Sequence, residues 1–126
     1  MTATRIRIST RLLAAALAVT CVIGAGVALG HAEVTSTSPK AGGTARTTLS
    51  RVTVRFGDPV TTGTITVTGP SGVVSRGRGG PDPRNPARLL AGLRRPLAPG
   101  AYKAAWTALA TDGHRQRGSF TFKVRR

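Results

Sequence analysis

The stretch Ala101-Tyr102-Lys103-Ala104-Ala105-Trp106-Thr107-Ala108 decides the fold, because Tyr102, Ala104, Trp106 and Ala108 share one face of an extended segment. Alternation of this kind marks a half-buried strand, not a helix. Phe120, Phe122 and Val124 repeat the pattern further on. Between the two lies Ala110-Thr111-Asp112-Gly113-His114, so the segment reads as strand, turn, strand, with an acid and an imidazole in the turn. The chain holds only 2 histidines and 4 acidic residues, and one of each falls here. At i and i+2, Asp112 and His114 project to the same side of an extended segment and can share one metal ion. The missing donors must come from elsewhere, and the other histidine, His31, is the place to look.

Working outward, no segment after residue 30 keeps a helical period over three turns. Short alternating runs bounded by Gly and Pro appear instead. Residues 33–37 form a first short strand, closed by Ser38-Pro39 and Gly42-Gly43. Val52, Val54 and Phe56 line one face of a second, which ends at Gly57-Asp58-Pro59. Ile65 and Val67 point inward from residues 64–68, and Gly69-Pro70-Ser71-Gly72 turns that strand into Val73-Val74 as a hairpin. Residues 76–86 carry three prolines, three glycines and three arginines, which reads as an exposed, mobile loop. Residues 89–93 are a weak strand, and Pro96-Leu97-Ala98-Pro99-Gly100 turns the chain into the central one. Seven short strands at this spacing, with aromatic core residues, predict an antiparallel Greek-key sandwich or barrel. Its core should include Val52, Val54, Phe56, Ile65, Val67, Tyr102, Trp106, Phe120 and Phe122.

At 126 residues the chain is one domain plus an appendage. Residues 1–30 read as that appendage: Arg5, Arg7 and Arg11 precede an apolar run, and Ala28-Leu29-Gly30 suits signal-peptide cleavage. Cleavage there makes His31 the mature N-terminus and residues 31–126 the domain. The alternative is an uncleaved membrane anchor, although the run is at the lower edge of a span. Cleavage after Ala32 would discard the histidine. Cys21 is the only cysteine and lies in the leader, so an exported domain has no disulfide and relies on packing. Sixteen Lys and Arg against four acids leave residues 31–126 at +12. That charge favours anionic cell-surface polymers or lipid headgroups as partners, and the export signal argues against nucleic acid.

Together the mature start His31-Ala32-Glu33, then Ser38-Pro39 with Gly42, then Val52-Thr53-Val54-Arg55-Phe56 leading to Asp58-Pro59-Val60, carry a resemblance. So do Leu97-Ala98-Pro99-Gly100-Ala101-Tyr102 through Trp106, and Asp112-Gly113-His114 through Gly118-Ser119-Phe120-Thr121-Phe122. Residues 31–126 resemble, in order, the CopC family of exported copper-binding proteins. The resemblance implies an immunoglobulin-like β-sandwich that binds Cu(II), one per chain, through His31, Asp112 and His114. It also implies a role in copper homeostasis or resistance, as a carrier or buffer in the periplasm or at the cell surface, with a CopD-type membrane importer as partner.

The donor set supports the same ion. A free N-terminal histidine offers its α-amine and Nδ1 in one six-membered chelate ring; His114 adds a third nitrogen and Asp112 an oxygen. Mixed N,O donors with tetragonal preference suit Cu(II), although zinc accepts the same ligands in a tetrahedron. The amine must lose a proton to bind, so affinity should fall at acid pH. Methionine is confined to Met1, whereas family members with a Cu(I) site have a methionine-rich stretch, so a Cu(II)-only protein is expected. Asp58 stands where the family often has glutamate, and it is a candidate axial ligand or a hydrogen-bonding support for one. Arg115-Gln116-Arg117 replaces a less charged stretch, and two cations beside a dication are unfavourable unless they bind Asp112 or face solvent.

No Ser/His/Asp or Cys/His set exists after the leader, so ordinary catalysis is not expected. Two other classes remain. An amine-plus-imidazole clamp with a second histidine is also the copper arrangement of lytic polysaccharide monooxygenases, but a coordinating Asp112 would fill the position oxygen needs. A metal-free, basic interaction module at the cell surface is the third reading, favoured if the secreted protein starts anywhere but His31.

Overall fold

The computed structural model describes residues 33–126, which form an all-β sandwich of nine strands in two sheets. The leader reading for residues 1–30, and His31 with it, lie outside the described residues. The strands are β1 (Val34–Ser38), β2 (Thr44–Arg46), β3 (Arg51–Phe56), β4 (Val60–Gly69), β5 (Gly72–Val73), β6 (Gly80–Asp82), β7 (Asn85–Gly92), β8 (Gly100–Ala110) and β9 (Arg115–Arg125). One sheet runs β1-β3-β7-β6 and the other β2-β9-β8-β4-β5. Three hairpins stay within a sheet, β4–β5, β6–β7 and β8–β9, and every other connection crosses to the opposite one.

The period-2 pattern fixes which side chains meet. Val52, Val54, Phe56, Leu89 and Ala91 face inward from the four-stranded sheet. Ile65, Val67, Tyr102, Ala104, Phe120, Phe122 and Val124 meet them from the other, and all are buried. Tyr102 stacks on Phe122 with ring centroids 5.5 Å apart, and its hydroxyl donates to the Ala98 carbonyl at 2.6 Å. Burial of this kind pushes the Tyr102 phenol above its ordinary value. Gly69 is needed beside it, since a Cβ at 69 would lie 2.3 Å from the Tyr102 ring.

Three features differ from the sequence expectation. First, there are nine strands, not seven, because β2 and β6 are too short to show alternation; β2 also pairs with β9 in parallel. Second, residues 76–86 are not wholly an exposed loop. Gly80–Asp82 pairs with β7 as an edge strand, which tolerates Pro81 because an edge has N–H positions without partners. Asp82 is buried there, taking the Arg84 backbone N–H at 2.9 Å and the Arg88 Nε–H at 2.9 Å. The Arg84 N–H, then the Arg88 guanidinium, hold the Asp82 carboxyl below the usual range. Third, Trp106 faces the core but is only half-buried. It meets Phe56 edge-on at 5.2 Å and lies over Gly118, its cross-strand partner, which has no side chain to cover the indole.

Candidate metal centre

Strand register gathers the candidate residues at one end of the sandwich. β3 ends at Phe56 and β4 begins at Val60, so residues 57–59 link the two sheets there. Val60 pairs with Ala110, the last residue of β8, and the Asp112–His114 turn follows directly. On the other side of the link Val34 pairs with Phe56, and the Gly57 N–H donates to the Glu33 carbonyl at 2.8 Å. The first described residue, the Asp58 link and the Asp112–His114 turn therefore share that end.

The turn is built by its own hydrogen bonds. Gly113 N–H donates to Ala110 O at 3.0 Å, and Ala110 N–H donates to His114 O at 2.9 Å. Gly113 takes φ +89°, a left-handed conformation open to glycine at little cost. Asp112 Oδ1 accepts the His114 backbone N–H at 3.0 Å, an Asx turn, while Oδ2 lies 3.0 Å from His114 Nδ1. The pair is thus brought together by a tight turn and not by the extended i, i+2 geometry that the spacing suggested. A carboxylate at Nδ1 favours the proton there and the lone pair on Nε2, which is how metal-binding imidazoles are commonly oriented. Both side chains are exposed to solvent, at 51% for His114 and 37% for Asp112, so an ion can reach them.

Asp58 sits in the exposed link. Among the described residues no group of three or more His, Cys, Asp or Glu is placed to hold a metal ion. Arg115 and Arg117 begin β9 on its exposed face, opposite Leu109 and Thr107. Both side chains stand on the solvent face of the sheet. Arg115 is the first residue of β9, and the alternation of Arg115, Arg117 and Ser119 with Phe120 and Phe122 is the sequence signal for that start.

A family model described as the CopC domain matches residues 34–125. The chain belongs to the CopC family. CopC from Methylosinus trichosporium OB3b is similar in structure, with TM-score 0.62 and 26% identity over 75% of this chain and 93% of that one. PcoC from Escherichia coli, a methionine rich copper resistance protein, gives TM-score 0.63 and 25% identity over 76% and 100%. A comparison with curated proteins finds no match. The CopC sandwich expected from the sequence is thus the fold observed. Among the described residues no helix is long and apolar enough to cross a membrane.

Proposed function

We propose that this CopC-family protein is an exported carrier or buffer for Cu(II), holding one ion at the end of the sandwich shared by Glu33 and the Asp112–His114 turn. The observation that carries this reading is the shared location of Glu33 and the Asp112–His114 turn. Only two peptide steps separate His31 from Glu33, a reach of about 7 Å in extended chain. The α-amine and Nδ1 of His31 and Nε2 of His114 supply three nitrogens, and Asp112 supplies an oxygen or keeps the His114 ring in place. Three nitrogens and an oxygen match the preference of Cu(II). The absence of methionine after Met1, in contrast to the methionine rich relative, favours the divalent ion over Cu(I).

The role that follows is binding and hand-over, not turnover, with a CopD-type membrane importer as the receiving partner in copper homeostasis or resistance. The cleaved leader places the carrier outside the cytoplasmic membrane, where the basic surface meets anionic groups. The test is a Cu(II) titration of residues 31–126 beside His114→Ala, together with deletion of the gene. One equivalent bound by the first and much weaker binding by the second is expected, with altered copper content or tolerance in the deletion strain. Unchanged binding in His114→Ala would refute the site, and an unaltered strain under both copper excess and limitation would refute the transport role.

A further inference from the structure

The outer face of the five-stranded sheet carries a broad field of exposed cations. Its exposed side chains include Arg115, Arg117, Lys123 and Arg125 along β9, Lys103 on β8 and Arg46 on β2. Arg46 stands directly beside Arg125 in the parallel β2–β9 register, a like-charge pairing that costs stability unless an anion relieves it. No acid shares this face: Glu33 precedes β1, Asp58 is in the β3–β4 link, Asp82 is buried in β6 and Asp112 is in the turn. The outer face of the four-stranded sheet carries fewer cations: Arg51 and Arg55 are exposed there, while Arg88 pairs with the buried Asp82.

The cations are spread, not gathered. Arg115 and Arg125 are ten residues apart on one strand, about 34 Å. Such a spacing does not converge on a single small anion, and it matches a planar array of negative charge. Near the turn the face carries a groove of about 530 Å³ with hydroxyls from Thr62, Thr64 and Thr107 beside Arg115 and Arg117, Thr64 and Thr107 sharing one hydrogen bond at 2.8 Å. Hydroxyl and guanidinium donors together suit phosphate oxygens.

We propose that this face docks the domain on an anionic phospholipid surface, with phosphodiester headgroups as the ligand. β9 leads directly from the Asp112–His114 turn, so docking sets that turn at the margin of the lipid surface. Each Lys or Arg near such a surface contributes about fivefold in partition, and the effect is screened by salt.

The experiment is co-sedimentation of metal-free residues 31–126, whose strand pairing and core close among residues 33–126, with vesicles of phosphatidylglycerol in phosphatidylcholine. Copper is left out, so the result is independent of the metal reading. Binding that needs phosphatidylglycerol and fades with added salt is expected. Replacing Arg115, Arg117, Lys123 and Arg125 with Gln should weaken it about 600-fold. A control with the same charge loss elsewhere, replacing Arg51, Arg55, Arg76 and Arg94 with Gln, should keep most of it, with circular dichroism confirming that both variants are folded. Equal losses in the two variants, equal binding to phosphatidylcholine alone, or binding to soluble polyphosphate without binding to vesicles would each overturn the proposal.

Discussion

Asp112 grips His114 twice, through the backbone N–H at 3.0 Å and through Nδ1 at 3.0 Å, with Gly113 as the pivot between them. Both carboxylate oxygens are engaged, so the residue shapes the turn and aims the ring together. Removing a carboxylate that orients a ligating imidazole typically costs 10–100-fold in metal affinity. Asp112→Ala should therefore weaken Cu(II) binding by about that factor, and less than either His31→Ala or His114→Ala. Copper titrations of the three variants check the order. A loss for Asp112→Ala larger than for His114→Ala would mean that the carboxylate is the dominant ligand.

Asp112→Asn tests the aiming separately. The amide has one acceptor oxygen for two N–H groups, and an NH₂ set against Nδ1 would favour the proton on Nε2 instead. Imidazole nitrogen shifts in the metal-free protein should move toward the Nε2–H tautomer. Shifts identical to wild type would show that Oδ2 does not hold the Nδ1 proton.

Trp106 and Gly118 form one packing unit, with a Cβ at 118 falling 2.6 Å from the indole. Trp106→Ala should cost about 3 kcal/mol, the low end for a large aromatic because the ring is half-buried. Gly118→Val should cost about 1–3 kcal/mol through overpacking, and less when Trp106 is already Ala. Urea unfolding of the two single variants and the double variant measures this. Strictly additive losses would show that the two positions do not meet.

The alternation of Val52, Val54 and Phe56, and of Tyr102, Ala104 and Ala108, made the sandwich legible because one face of each strand is buried. β2, with Ala45 as its one inward residue, shows no such pattern. Asp82 was hidden among prolines and glycines, and its burial depends on Arg88, six residues on, which spacing in a Pro-rich stretch does not reveal. Trp106 has the right phase for the core, but its exposure is set by Gly118, a cross-strand neighbour. At the site, the closeness of Asp112 and His114 was plain from two positions, while the Asx turn that produces it follows from Gly113 at φ +89°.

Asp82 gives the domain an acid-sensitive element. Its folded carboxyl titrates below the ordinary aspartate value of about 3.9, so it stabilises fully above that value and loses the contribution as pH falls through the folded one. Wild type should exceed Asp82→Asn in stability at neutral pH, and the gap should close on acidification. Denaturant midpoints against pH provide the measurement. A gap constant into the acid range would place the Asn effect in packing and not in charge.

In the proposed site His31 opens the mature chain and binds copper through its own amine together with the Asp112–His114 turn. It is tested most directly by Cu(II) titration of residues 31–126 beside the same domain carrying one extra Gly before His31. The added residue turns the amine into an amide and removes the chelate ring while keeping the imidazole. The extra Gly should cause a large loss of affinity, comparable to that of His31→Ala, and a changed Cu(II) spectrum with one nitrogen fewer. Equal affinity and identical spectra for the two proteins would contradict it.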